Sequence, residues 1–300
     1  MNEHHVQRVH QLQLYCRHRV NHQLIGPYRS VFRGQGLEFD EVRVYQPGDD
    51  VRAIDWNVTA RQGEVHIKQF HEERQLNLIF VVDNSPSFAW SSQGKDRLHV
   101  AAELCGLLGS AALDSNDRIG LLRFSEGMDD YIPPTRGLSQ LMRCLSAILE
   151  PPRPVTSSSI VEAIEHLNRL KLQRSIVVVL SDFFFDGFIE ELAVLNRHHD
   201  VLAIAIDDPR EKQFTGGGLA CLKDVEGGER QWLDMSSQMV RDMFSDQIAE
   251  RLRQRHQQFS HWGLDLISHG IEDDPVESLL SYFLGRQQRI AGDIGGSITV

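Results

Sequence analysis

The sequence lacks several features that would place it in a special class of protein. None of its apolar runs approaches the ~20 residues of a membrane-spanning helix. The segment Met1–Arg8 has no apolar signal-peptide core, and the four cysteines form no Cys-x-x-Cys pair. Lys and Arg number 31 against 42 Asp and Glu, a net charge of −11 that disfavours binding to nucleic acid or anionic membranes. We therefore expect a cytoplasmic protein that binds no nucleic acid and has no membrane span.

Motifs of nucleotide-binding and zinc enzymes are incomplete. Gly94-Lys95 lacks the upstream glycine and the following Ser or Thr of a phosphate-binding loop. Gly34–Phe39 has phenylalanine where a dinucleotide-binding fingerprint needs its last glycine, and His71–Arg74 lacks the second histidine of a zinc-protease helix. We expect no ATP hydrolysis and assign no catalytic residue.

Strand-like and helix-like segments alternate along most of the chain. The strongest strand signal is Leu76–Ser87, in which an apolar, β-branched run is followed by Asp-x-Ser-x-Ser. Further strand-like segments are Arg118–Ser125, Ser175–Asp182, Asp200–Asp207 and Leu264–Ser268. Helices are predicted for Leu98–Leu113, from a cap at Ser139, for Ile160–Leu170, for Ser237–His261 and from Pro275 through Arg286. This order predicts an α/β fold with a doubly wound, mostly parallel sheet flanked by helices.

Additions to this fold are also predicted. Two short alternating runs between Leu219 and Leu233 flank Gly227-Gly228 and indicate an inserted β-hairpin. We divide the chain into an N-terminal extension (1–75), the main domain (76–290) and a C-terminal tail (291–300).

Hydroxyl and carboxylate side chains are predicted to meet at one edge of the sheet. Asp83, Ser85 and Ser87 follow the first buried strand, and Asp182 follows a strand expected to lie beside it. This all-oxygen set suits Mg²⁺ or Mn²⁺. A strand-end turn with Asx-type hydrogen bonds is the alternative for Asp83. The loop 156–159 offers further hydroxyls, which equally suit helix capping.

This pattern resembles the metal-ion-dependent adhesion site (MIDAS) of von Willebrand factor A domains. That site has Asp-x-Ser-x-Ser after the first strand, a threonine before a later helix and an aspartate after the fourth strand. The matching residues here are Asp83, Ser85, Ser87 and Asp182, with Ser158 in the threonine position and Thr156 as its substitute. The resemblance implies a von Willebrand factor A-like fold and a bound divalent metal.

A second resemblance, over roughly residues 25 to 287, is to the bacterial family called domain of unknown function 58. It rests on Glu38–Arg43, Tyr45–Asp50, Arg52, Ile54–Trp56, Thr59–Arg61 and Glu72–Arg74, and continues through Asp117–Gly120 and Pro133–Gly137. The genes of this family commonly neighbour those of MoxR-type AAA+ ATPases. The resemblance therefore implies such an ATPase, or its client protein, as the partner.

The signature residues of the extension have a structural interpretation. Asp49, Asp50 and Asp55 alternate with Arg43, Arg52 and Arg61. Ion pairs among them would lock the extension onto the main domain, with Trp56 as a buried anchor. A partner-binding face is the alternative.

Three functions are compatible with these observations. A non-enzymatic interaction module would present its metal to a partner's carboxylate. A metal-dependent phosphohydrolase would also place an aspartate after the first strand, but Ser85 stands where the aspartyl-phosphate design needs a second carboxylate. A metal-free scaffold of the same fold is the third. We favour the first.

Overall fold

A computed structural model describes residues 3–20, 22–33, 39–46, 54–70, 75–89, 96–125, 127–152, 159–170, 172–185, 187–209, 218–223, 230–234 and 236–295. The helices are α1 (Glu3–Arg19), α2 (His22–Arg33), α3 (Trp56–Gln62), α4 (Pro86–Ala89), α5 (Arg97–Asp114), α6 (Leu138–Ile148), α7 (Val161–Arg169), α8 (Ile189–His198), α9 (Gln238–His261) and α10 (Pro275–Gly295). The strands are β1 (Phe39–Val44), β2 (His66–Phe70), β3 (Asn77–Asp83), β4 (Arg118–Phe124), β5 (Met128–Thr135), β6 (Ile176–Ser181), β7 (Asp200–Asp207), β8 (Leu219–Lys223), β9 (Arg230–Asp234) and β10 (Asp265–Gly270).

The central sheet has six strands in the order β10-β7-β6-β3-β4-β5. All neighbours are parallel except β4 and β5, which confirms the predicted doubly wound, mostly parallel α/β fold. The chain runs from β3 outward to β4 and β5, then returns to β6 on the other side of β3. The reversal therefore lies between β3 and β6, where such folds place their binding sites.

The edge strand β5 was missing from the prediction. It is mostly half-exposed and contains Pro133 and Pro134, so its sequence shows neither alternation nor an apolar run. Its close approach to β4 depends on Gly120, because a Cβ there would lie 3.0 Å from the Ile132 carbonyl oxygen and 3.1 Å from the Pro134 nitrogen.

The N-terminal extension is part of the main hydrophobic core. Helix α1 packs against α5 and α6, and α2 packs against α5 and α10. Leu12 and Tyr28 are buried in the same cluster as the sheet residues. The Tyr28 hydroxyl donates to Asp117 Oδ2 (3.2 Å), while Asp117 Oδ1 accepts from the backbone N–H of Leu76 (3.0 Å). One buried carboxylate thus joins the extension to the start of β3.

The prediction that Trp56 is a buried anchor is wrong. Trp56 opens α3 and is 69% exposed. Asp55 caps that helix instead, since its Oδ1 accepts from the backbone N–H groups of Asn57 (2.9 Å) and Val58 (3.3 Å). Of the residues expected to form ion pairs, Asp49, Asp50 and Arg52 lie outside the described residues, so their ion pairs stay predictions.

The C-terminal third follows the prediction in outline. Strands β8 and β9 form the expected antiparallel hairpin, although Gly227-Gly228 lies outside the described residues. Helix α9 ends at His261, before Gly263 with φ +63°. Helix α10 continues to Gly295, past its predicted end at Arg286, because the five residues after that arginine include no proline or glycine.

The start of α6 differs from the predicted one. Ser139 does not cap α6, since the helix starts one residue earlier, after Gly137 with φ +100°.

In the part of the chain that the structure describes, no helix has both the length and the apolar character needed to span a bilayer.

The role of the extension in stability can be tested on α1. Leu12 is 4% exposed and Leu14 is 53% exposed on the same helix. We expect Leu12→Ala to lower the free energy of unfolding by about 2–4 kcal/mol, because it leaves a cavity in the core. The matched Leu14→Ala should change it by less than about 0.5 kcal/mol. Urea denaturation measures both, and equal effects would mean that α1 is not part of the cooperative core.

Candidate functional site

Asp83 is the central residue of the candidate site. It lies at the carboxyl end of β3 and is 1% exposed. Its Oδ1 accepts from the backbone N–H of Ser85 (2.9 Å), which is the Asx-type bond of the alternative interpretation. Its Oδ2 accepts from the Ser181 hydroxyl (2.6 Å) at the end of β6. The carboxylate therefore joins the two strands at which the sheet reverses.

Ser85 and Ser87 form the second part of the site. Their hydroxyl oxygens are 3.0 Å apart and share a hydrogen bond. Ser85 Oγ also accepts from the backbone N–H of Phe88 (3.3 Å), inside the short helix α4. This tight turn holds both hydroxyls beside Asp83.

Asp182 follows β6 directly and is also buried. Its Oδ1 accepts from the backbone N–H of Phe184 (3.1 Å), and its Oδ2 lies 3.8 Å from Nη1 of Arg97. Strands β3 and β6 are hydrogen-bonded neighbours, so the predicted convergence of Asp83 and Asp182 on one sheet edge is present.

Two arginines at this edge were not predicted from the sequence. Arg97, 1% exposed, lies on the first turn of α5 and also donates to the Ser87 carbonyl oxygen (3.4 Å). Arg255 on α9 donates to the Asp182 carbonyl oxygen (2.8 Å) and pairs with both carboxylate oxygens of Asp207 (3.0 Å each). A charged residue opening an apolar helix was a usable signal for Arg97. Arg255, in a long polar helix, carried none.

Burial dominates the electrostatics of the pair. Burial, and after it the charge of Asp182, raise the pKa of Asp83 to about 7, although hydrogen bonds from Ser181 and Ser85 act in the opposite direction. The pKa of Asp182 is also raised by burial, and Arg97 opposes that shift. Two carboxylates that are costly to ionise together favour a nearby cation.

The third predicted loop is only partly described. Thr156 and Ser158 lie outside the described residues, so their roles stay predictions. Ser159 is described, and its backbone N–H donates to the Ser125 carbonyl oxygen (2.8 Å) at the end of β4. The loop therefore ends at the same sheet edge as Asp83.

A second polar group at this edge was also missed. Asn84 donates from Nδ2 to Asp129 Oδ2 (3.1 Å), and the Ser125 hydroxyl donates to Asp129 Oδ1 (2.7 Å). The backbone N–H of Asn84 donates to the Phe124 carbonyl oxygen (2.7 Å). These bonds fix the backbone next to Asp83 to the β4–β5 connection.

The donor set suits a hard cation. Its described members are carboxylate and hydroxyl oxygens of Asp83, Ser85, Ser87 and Asp182. Within the described ranges, no group of three or more His, Cys, Asp or Glu side chains is placed to hold a metal ion. Soft or imidazole-dependent metals such as zinc thus have no suitable ligand set among these residues.

The sequence of the chain matches a known family. Residues 41–255 match the family described as Protein of unknown function DUF58. The chain belongs to this family. One relative is Uncharacterized protein Rv1480 of Mycobacterium tuberculosis, 29% identical over 221 residues that cover 72% of this chain and 69% of the relative.

Solved structures give more distant similarities. Conserved hypothetical protein BatB from Bacteroides thetaiotaomicron is 15% identical, with a TM-score of 0.44, over 71% of this chain and 99% of that one. The SpRpn10 VWA domain is 12% identical, with a TM-score of 0.42, over 69% of this chain and 94% of that one.

The raised pKa of Asp83 predicts a pH effect on the metal-free protein. Because this pKa is higher in the folded than in the unfolded chain, the native state binds the proton more tightly. The contribution of Asp83 to stability should therefore rise as the pH falls from above 7 towards 4. We expect Asp83→Asn to remove this gain, measured by urea denaturation in chelator between pH 8 and pH 5. The exposed substitution Asp246→Asn is the control, and an unchanged pH profile in Asp83→Asn would contradict the assignment.

Proposed function

We propose that the chain is a non-enzymatic protein-interaction module that binds Mg²⁺ or Mn²⁺ in a MIDAS-like site and captures a carboxylate of its partner. The main support is the 3.0 Å separation of the Ser85 and Ser87 hydroxyl oxygens beside a buried carboxylate. Neighbouring ligands of an octahedral Mg²⁺ with bonds of about 2.1 Å are about 3.0 Å apart. The two hydroxyl oxygens are therefore spaced as neighbouring ligands of one ion would be, and the ion would replace the hydrogen bond between them.

Asp83 would supply the negative charge of the site. Its Oδ1 accepts from the Ser85 backbone N–H and its Oδ2 from the Ser181 hydroxyl, and a carboxylate has lone pairs for further partners. Asp182 is already partly compensated by Arg97, so it would act through a metal-bound water. Ser158, or Thr156 in its place, would add a hydroxyl from the third loop.

The bound ion would supply positive charge at an otherwise acidic edge. Such a donor set leaves coordination positions open for water or a carboxylate from another protein. The chain's own residues would hold the ion, while Arg97 binds the Ser87 carbonyl oxygen after β3 and Arg255 binds the Asp182 carbonyl oxygen after β6. Capture of a partner would then depend on both the ion and this fixed loop.

We assign the partner from the family resemblance. It is a MoxR-type AAA+ ATPase, a client protein of that ATPase, or both, in chaperone-like assembly or maturation in the cytoplasm. Family membership supports this assignment. A phosphohydrolase would need a second carboxylate where Ser85 stands, and a phosphatase screen with magnesium separates that function from the interaction module.

Metal binding is the first experiment. We expect calorimetry to detect weak binding of Mg²⁺ or Mn²⁺, and a tenfold excess of metal over its Kd to stabilise the protein by about 1.4 kcal/mol. Asp83→Ala should abolish metal binding. Asp246→Ala, an exposed substitution in the N-terminal half of α9, should not. Absence of binding at millimolar metal would leave only a site completed by the partner, and absence with the partner present would refute the metal site.

Partner capture is the second experiment. We expect the wild-type protein, but not Asp83→Ala, to retain a MoxR-type ATPase or its client in a pull-down, and chelator to reproduce the Asp83→Ala defect. Asp182→Ala should weaken capture less, because water would separate it from the ion. Thermal unfolding in chelator checks that each variant folds. Equal capture by wild type, Asp83→Ala and chelated protein would sink the metal-mediated mechanism.

A further inference from the structure

Methionines are concentrated at the junction between β9 and α9. Three of the six methionines, at 235, 239 and 243, recur at intervals of four residues. In the described part of this junction, Met239 is 72% and Met243 is 63% exposed. Residues four apart lie on the same helix face, so these two side chains form one apolar strip in solvent. Large exposed apolar side chains grouped together mark interaction sites.

The first half of α9 is available for such an interaction. The buried residues of the helix are Arg255 and Phe259, both in its C-terminal half. All residues from 238 to 254 are exposed or half-buried. The helix is therefore anchored at one end, and its first turns present much of their surface to solvent.

An exposed tryptophan lies on the strand that precedes this helix in the chain. Trp232 on β9 is 64% exposed. The turn to α9 is tight, because the Ser237 backbone N–H donates to the Asp234 carbonyl oxygen (3.3 Å) and the Ser236 backbone N–H donates to Asp234 Oδ1 (3.0 Å). A short turn that is held by two hydrogen bonds therefore joins β9 to α9.

The surroundings of the strip are acidic. Among residues 234 and 236–250, which the structure describes, four are Asp or Glu and one is Arg. Asp242 and Asp246 lie on the same side of α9 as the methionines, at helical spacings of three and four residues. Hydrogen bonds from Ser236 lower the pKa of Asp234, so this carboxylate stays ionised next to the turn.

We infer that this arm surface, formed by Met239, Asp242, Met243 and Asp246 on α9, binds a basic amphipathic helix of a partner protein. Methionine side chains adapt to varied apolar surfaces. The carboxylates select for Lys and Arg on the bound helix. The same negative charge repels anionic membranes. This function requires no metal and is separate from the proposed capture at Asp83.

A designed peptide tests the inference. The probe is a fluorescently labelled 18-residue amphipathic helix of leucine and lysine, titrated with the full chain in chelator and followed by anisotropy. We expect Met239→Gln/Met243→Gln to weaken binding at least tenfold. Asp242→Asn/Asp246→Asn should weaken it and reduce its dependence on salt. Leu284→Gln, at an apolar site on α10 that is 52% exposed, is the matched control and should bind like wild type.

Further measurements test which molecule binds the arm surface. A matching peptide of leucine and glutamate should not bind, and Asp83→Ala should bind the basic peptide normally, which separates this inference from the metal site. Equal affinity of the double methionine variant and wild type would overturn the inference, as would absence of binding to wild type. A dimer in light scattering that the methionine substitutions dissociate would identify a second copy as the occupant and also refute it. Circular dichroism melts establish that the variants fold.

Discussion

Two carboxylates, Asp83 and Asp182, are buried side by side where strands β3 and β6 end, and much of the nearby structure compensates their charge. A buried carboxylate is costly unless hydrogen bonds or an opposite charge stabilise it. The Ser181 hydroxyl and the Ser85 backbone N–H donate hydrogen bonds to Asp83, and Arg97 forms an ion pair with Asp182. The raised pKa of Asp83 indicates that this compensation is incomplete. A divalent cation between the carboxylates and the serine hydroxyls would complete it, and the proposed metal site rests on this argument.

The parts of the fold that were predictable are those in which one local pattern determines the structure. The strands β3, β6 and β7 are continuous apolar runs, and only a sheet covered on both faces accommodates such runs. Their alternation with helical segments fixes parallel order, and parallel order brings the strand ends to one edge. The sequence alone therefore pairs Asp83 with Asp182 across 98 intervening residues.

The parts that were missed depend on contacts that no local pattern encodes. Pro133 and Pro134 remove the usual strand pattern from β5, so the strand was not predicted. Arg255 contacts the site from a helix, 73 residues after Asp182 in the chain. Trp56 was expected to be buried because aromatic residues usually are, but the cap made by Asp55 at the start of α3 leaves it in solvent. The ends of α10 and α6 were misplaced because single residues, such as Ser139, predict helix boundaries less well than periodicity predicts the helix itself.

Helix α9 gives a structural reason for considering the two proposed surfaces together. Near its C-terminal end, Arg255 holds Asp207 and the backbone of Asp182, so this end is fixed to the loop that follows β6. Met239 lies sixteen residues earlier, about 24 Å away along a continuous helix. A partner that bound both surfaces would gain from their fixed separation, because binding at one surface raises its effective concentration at the other. The same separation would disfavour partners whose carboxylate and basic helix are spaced differently. Specificity would then arise from geometry, without requiring tight binding at either surface.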